Sequence, residues 1–225
     1  ISGGYLNQPG LYSAAGYKQY SLRSNLDAMI SNRIKVSLNI NGRVEKTTDP
    51  VAGSSVETFY RQISPLIPSR FSNGYYNYIS IPYGFSSLVN GSPYLMSHGD
   101  AGYVNTDLNV LETTGSIVYK VPFIEGLSAK GTFSYNKYST FNKNFVQPYV
   151  SYIRNDNGTY TSRTTGNTKA SLTEIYRQRQ TVLAEASLNY QRTFGQHSVN
   201  AMALYTQTEN TGDNFLASRG NFPSA

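Results

Sequence analysis

The feature that most constrains this chain is a repeated two-residue alternation interrupted by connections of two very different lengths. From Tyr20 the even positions read Tyr20, Leu22, Ser24, Leu26, Ala28 and Ile30, against Ser21, Arg23, Asn25, Asp27 and Met29. After a tight turn at Ser31-Asn32, Ile34, Val36, Leu38 and Ile40 alternate with Lys35, Ser37, Asn39 and Asn41. Side chains on a strand point alternately to opposite faces, so each stretch predicts a strand with one greasy and one polar side.

Two more hairpins repeat the pattern. In one, Leu111, Gly115, Ile117, Tyr119 and Val121 share a face; Pro122 to Gly126 reverses the chain, and Leu127, Ala129, Gly131, Phe133 and Tyr135 return. In the other, Val182, Ala184, Ala186, Leu188 and Tyr190 are followed by the turn Phe194-Gly195-Gln196-His197 and by Val199, Ala201, Ala203 and Tyr205. Val110, Val118, Leu183, Met202 and Leu204 interrupt the polar faces. About six strands are predicted, near 17–30, 33–46, 107–121, 126–140, 172–194 and 197–209.

Connections within hairpins are short, whereas those between hairpins cover about 48–106 and 141–171. Ordinary domains rarely hold loops beyond about 12–15 residues. Outer-membrane barrels pair short periplasmic turns with long extracellular loops. The expected fold is therefore all-β, an antiparallel transmembrane β-barrel segment, with both long loops outside. Leu22, Leu26, Val36, Leu38, Ile117, Phe133, Ala186 and Leu188 are expected to face lipid, and Arg23, Asp27, Lys35, Asn39, Lys130, Ser187 and Asn189 the lumen. Tyr20, Tyr135 and Tyr205 at one end, with Tyr119 and Tyr190 at the other, fit the aromatic girdles of such barrels.

Composition agrees where it bears on the choice. Charged residues make up 14% of the 225, and the mean hydropathy of −0.42 suits strands that wet one face. No window approaches the ~20 apolar residues of a membrane helix. A net charge of +6 is scattered without a basic run, which argues against a nucleic-acid partner. There is no cysteine. The start at Ile1 and the Asn221-Phe222-Pro223-Ser224 segment suggest a piece of a larger barrel, spanning 1–225 and lacking a plug.

Chemistry for catalysis, a cofactor or a metal is not expected. No phosphate loop or zinc spacing occurs, and the two histidines, His98 and His197, are far apart. Asp156-Asn157-Gly158 lacks the further ligands of a calcium loop and reads as a turn. The candidate ligand contacts are loop tyrosines: Tyr75, Tyr76, Tyr78, Tyr83 and Tyr94 in the first long loop, and Tyr149, Tyr152 and Tyr160 in the second. Aromatic faces stack on sugars and pack on peptides.

Three stretches resemble the SusC/RagA family of TonB-linked outer-membrane proteins. They are Tyr17 to Asp27 continuing through Leu38-Asn39-Ile40-Asn41-Gly42-Arg43; Tyr119 to Leu127 with Gly131 to Tyr135; and Leu188 to His197 with Ser218-Arg219-Gly220-Asn221-Phe222-Pro223. The resemblance implies a 22-stranded barrel in the outer membrane of a Gram-negative, Bacteroidetes-like bacterium. It implies active import of glycans or oligopeptides, a SusD-like surface lipoprotein as lid, contact with outer-membrane lipid, and energy from the TonB–ExbB–ExbD complex through a plug. Two alternatives stand beside it: a siderophore or cobalamin receptor of the same class, and a soluble Tyr-rich β-domain acting as an adhesin or glycan binder.

Overall fold

The structure is a computed structural model and describes residues 1–51, 53–83, 87–166 and 168–221, without the side chains of 53–55, 81–83 and 87–89. In chain order the elements begin with β1 (Ser2–Pro9), β2 (Gly16–Met29), β3 (Ile34–Pro50), α1 (Gly53–Gln62), β4 (Ile79–Tyr83), β5 (Ser87–Gly91) and α2 (Pro93–His98). They continue with β6 (Gly102–Lys120), β7 (Leu127–Val146), β8 (Tyr149–Arg154), β9 (Tyr160–Thr165), β10 (Ser171–Phe194) and β11 (His197–Gly220).

Among the described residues the chain is all-β apart from two short helices. Seven strands form one antiparallel sheet in the order β1-β2-β3-β6-β7-β10-β11, an up-and-down meander whose outer edges are β1 and β11. The pairs β4–β5 and β8–β9 are separate two-stranded ribbons within the long loops.

All six predicted strands are present, and a seventh, β1, was missed. Its sequence, Ser2-Gly3-Gly4-Tyr5-Leu6-Asn7-Gln8-Pro9, has no apolar alternation, and pairing with β2 alone holds it at the edge. The strands also run farther than predicted, so the long loops shrink to 51–101 and 147–170, and β11 reaches Gly220 rather than about 209. The extra length is polar on both faces in places, as at Asn210 to Asn214, and apolar on both in others, as at Phe145-Val146 and Phe215-Leu216, so period-two contrast vanishes. It is fixed instead by unbroken pairing, as in β10–β11 from Phe194↔His197 to Ser171↔Gly220.

The register puts the predicted sets on opposite faces. One row reads Leu26, Leu38, Gly115, Phe133, Ala184, and the next reads Ala28, Val36, Ile117, Gly131, Ala186, Tyr205. Asn25, Asn39, Thr114 and Ser134 form a row on the reverse side, where Asn41 donates to Glu112 at 2.8 Å and Tyr138 also donates to Glu112. Lys35 pairs with Asp27 at 3.5 Å on that same side.

The apolar band is inclined across the sheet. Going toward the long loops, the apolar run on its face gives way to polar or small residues after Tyr20 (β2), Val44 (β3), Leu111 (β6), Tyr135 (β7), Val182 (β10) and Tyr205 (β11), and separate apolar residues such as Phe141, Tyr176 and Phe215 return only farther out. Tyr20 shares its register row with Asp213, eight positions beyond Tyr205. That offset accumulates over five strand pairings, an incline of roughly 45–50° at ~3.4 Å per residue and ~4.8 Å per strand. Strands of outer-membrane barrels tilt by about 35–45°.

The short turns lie at the other end of the sheet. Ile30 N–H donates to the Ile34 carbonyl at 3.0 Å across the β2–β3 turn. In the β6–β7 turn, Gly126 has φ +86° and its carbonyl accepts from Gln191 N–H at 2.9 Å. A Cβ there would stand 2.2 Å from the Gln191 carbonyl oxygen. Gly126→Ala should therefore destabilise the β7–β10 junction by about 2 kcal/mol or more, combining left-handed strain with a backbone clash. The heat-modifiable fraction of the full-length protein in isolated membranes measures this, with Gly115→Ala, where a Cβ meets nothing within 4 Å, as the tolerated control.

Candidate functional site

At the long-loop end, the two loops fold into one body. Asn77 and Tyr152 form an isolated parallel bridge: Tyr78 N–H donates to the Tyr152 carbonyl, and Tyr152 N–H to the Tyr76 carbonyl, both at 2.8 Å. Beneath the bridge lies a shared apolar core. Val56 and Phe59 of α1 are completely buried, and they cluster with Ile79, Leu95, Met96, Ala101 and Tyr149. Helix α1 faces this core because Val56, Phe59 and Ile63 recur at helical spacing. Helix α2 starts on Pro93 and ends at Gly99, whose φ of +87° caps it.

The loops carry two aromatic piles, and Tyr76 and Tyr94 of the second pack against this core. In the first, Tyr75 stacks on Tyr152 with ring centroids 4.0 Å apart and planes 11° from parallel. Tyr160 meets Tyr75 edge-on at 5.5 Å, and Phe71 leans on Tyr160 at 5.1 Å. A tight turn presents Phe71 and Tyr75: Phe71 N–H donates to the Tyr75 carbonyl at 2.8 Å, Asn73 Oδ1 accepts from Tyr75 N–H at 3.0 Å, and Gly74 takes φ +91°. The ribbon β8–β9 supplies the other two rings. Its Asn155–Thr159 turn closes with Asn155 N–H donating to the Thr159 carbonyl at 2.9 Å and Gly158 at φ +79°.

In the second pile the Arg70 guanidinium lies 5.3 Å over Tyr76, Tyr76 stacks on Tyr94 at 4.9 Å, and Tyr94 stacks on the His98 ring at 3.9 Å. Arg70 is steadied by donating from Nε to the Gly74 carbonyl at 2.9 Å.

The structure thus sorts the eight nominated tyrosines. Tyr75, Tyr152 and Tyr160 meet in one pile, and Tyr76 and Tyr94 in the other. Tyr78 stands beside them through its backbone bond to Tyr152. Tyr83 ends β4, and its side chain lies outside the described residues. Tyr149 is only 8% exposed; burial pushes its phenol above the ordinary tyrosine range, and its hydroxyl fills the space beside Gly91, where a Cβ would lie 2.2 Å away. Tyr149 accordingly braces the loops from inside.

Sequence reasoning left out Arg70, Phe71 and His98. Arg70 and Phe71 lead into Asn73-Gly74, a turn signal that marks which residues a turn will bring together. His98 has a ring partner and no carboxylate cluster, and no group of metal-binding side chains occurs among the described residues.

A platform of stacked rings on interlocked loops, set above a broad sheet, is suited to holding an extended ligand against its outer ring faces and polar edges. The chain shares its fold with a section of the RagAB peptide importer. Against that importer in its "closed-closed" state the TM-score is 0.66 at 16% identity, covering 99% of this chain and 24% of the solved one. A further structure of the RagAB peptide transporter and the importer in its "open-open" state each give 0.63 at 16% identity, covering 93% of this chain and 22% of theirs. The chain therefore spans about a quarter of the length of these RagAB chains. No protein-family model matches the sequence, and no curated protein does.

Proposed function

We propose that this chain forms part of the wall and the extracellular mouth of an outer-membrane active importer of the SusC/RagA kind, with the two long loops as its recognition device. The observation that carries the reading is the joined loop body with its aromatic piles at one end of a sheet that has one apolar and one polar face. The RagAB likeness in fold and the family resemblance in sequence support the same reading.

In this reading the apolar band faces lipid, the polar face lines the lumen, and further strands outside this chain close a 22-stranded barrel on the edges β1 and β11. An open edge in a bilayer would leave backbone groups without partners, so closure is obligatory. The cargo is an oligopeptide or glycan, bound without chemical change. A SusD-like surface lipoprotein closes over the mouth, and TonB–ExbB–ExbD acts through a plug outside these residues.

Topology is tested with single cysteines at the exposed positions Ser72 and Asn157 in intact cells, using a membrane-impermeant thiol reagent. Both should label from outside. Labelling only after the outer membrane is broken would reverse the topology and remove the proposal. Tyr75→Ala and Tyr152→Ala should then weaken uptake of the cargo by about two- to tenfold, on the basis of ~0.5–1.5 kcal/mol for a stacked aromatic contact beyond its area, with the folded barrel intact.

A further inference from the structure

The apolar face carries a second feature at its outer margin. On each strand, the residue two positions beyond the end of the apolar run is the first to leave the band. These residues are Lys18 (β2), Lys46 (β3), Asn109 (β6), Lys137 (β7), Gln180 (β10) and Gln207 (β11). Three are lysines and none is an acid. Because the band itself is inclined, these positions lie along one line parallel to its edge, although they occupy different register rows.

Lys18 and Lys46 are direct cross-strand partners, and both are exposed. Like charges directly opposite each other destabilise a sheet. Neither they nor Lys137 makes an ion pair or hydrogen bond among the described residues. Asp107, the cross-strand neighbour of Lys46 on β6, lies farther from the band and makes no ion pair with it. Lys18 and Lys137 have no carboxylate opposite them in the register, their partners being Asn7 and Lys46, and Leu111 and Gln180.

Directly under the lysines is a groove. Gly3 and Gly42 flank Leu22 in the register, and a Cβ on either would meet only a backbone oxygen, at 3.9 and 4.0 Å. The missing side chains open a trough of about 830 Å³ lined by Tyr5, Tyr20, Leu22, Val44 and Leu111, with Lys137 at its rim. Tyr5 and Tyr20 wall one side, their rings 5.1 Å apart.

We infer that this face is a binding site for a phosphate-bearing lipid of the outer leaflet: Lys18, Lys46 and Lys137 hold the phosphorylated headgroup, and an acyl chain lies in the trough over Gly42. Charge complementarity selects the headgroup, and the apolar trough at band depth selects a lipid over a soluble anion. The inference rests on the outer-membrane reading above.

The test uses the full-length protein purified from outer membranes in mild detergent. Native mass spectrometry reads retained lipid. After delipidation, the protein is titrated with bis-phosphorylated lipid A, with the dephosphorylated form, and with inorganic phosphate. The wild type should retain phosphorylated lipid. The triple variant Lys18→Gln, Lys46→Gln, Lys137→Gln should bind lipid A about tenfold more weakly or worse, while the three Lys→Arg changes leave binding intact. Dephosphorylated lipid should bind as weakly to the wild type as lipid A does to the Gln variant. Gly42→Leu should lower lipid affinity without touching the lysines.

Equal lipid binding by the Gln variant and the wild type would overturn the site. Inorganic phosphate competing as well as the lipid would overturn its lipid character, and unchanged binding by Gly42→Leu would overturn the acyl trough. A protein that does not fractionate with the outer membrane would defeat the underlying reading. One that does, yet holds no lipid, would defeat this inference alone.

Discussion

Leu38→Arg should prevent stable assembly of the full-length protein, whereas Asn39→Arg, one residue along, should assemble normally. Leu38 sits midway along the apolar run of β3, Ile34 to Val44, between Leu26 on β2 and Gly115 on β6. An arginine at the midplane of a barrel's lipid face costs about 2–4 kcal/mol, falling toward zero near the interfaces. From position 38 the guanidinium would have to pass two outward-facing residues toward the turn, Val36 and Ile34, or three toward the loops, Ile40, Gly42 and Val44, to reach water. Asn39 lies in the row Asn25, Asn39, Thr114, Ser134, where a cation joins an already polar wall. The heat-modifiable fraction in outer membranes reads both variants. Equal assembly of the two would show that the sheet does not use this face against lipid.

What the sequence discloses depends on whether one face of a strand is apolar. Val182 to Tyr190 on β10 alternates visibly because one side is greasy, and its register follows from that contrast. Beyond Thr208, β11 reads Glu209-Asn210-Thr211-Gly212-Asp213-Asn214, polar on both faces, and only its pairing with β10 makes it a strand. The loop ribbon misleads in another way. In β8, Ser151 is fully buried while Val150 is 45% exposed, the reverse of what hydrophobicity suggests. Burial there is decided by which face meets the loop core. Helix α1 was legible in principle from Val56, Phe59 and Ile63, yet a single amphipathic stretch of ten residues in a polar, Gly- and Pro-rich segment carries little weight.

The candidate site was legible as an inventory of tyrosines and illegible as a geometry. Turn signals at Asn73-Gly74 and Asn157-Gly158 announce two tips, but nothing local says that Tyr75 will stack on Tyr152 from the other loop. That contact follows from the bridge at Asn77 and Tyr152, a pairing remote in sequence. The same remoteness explains why Tyr149, nominated with the others, lies inside: its neighbours Gly91, Leu95 and Met96 come from the first loop.

Phe59→Ala should open the loop body while leaving the sheet folded. Phe59 is completely buried in a core of few residues, drawn from both long loops and lying outside the seven-stranded sheet. Truncating a buried phenylalanine costs about 3–5 kcal/mol, a large fraction of what so small a core can supply. The sheet depends instead on continuous ladders along β2, β3, β6, β7 and β10, and regions with separate cores open separately. External protease on intact cells should therefore cut between residues 64 and 76 much faster in Phe59→Ala than in the wild type, with the heat-modifiable barrel unchanged. Arg61→Ala is the matched control: it removes an exposed helical pair with Glu57 at 3.8 Å, a contact worth ~0.3–0.5 kcal/mol, and should leave cleavage nearly as it was. Protection equal to wild type in Phe59→Ala would mean that this core does not hold the aromatic platform. Loss of the barrel together with the loops would mean that the platform and the wall fold as one unit, and that the mouth could not rearrange around cargo without straining the wall.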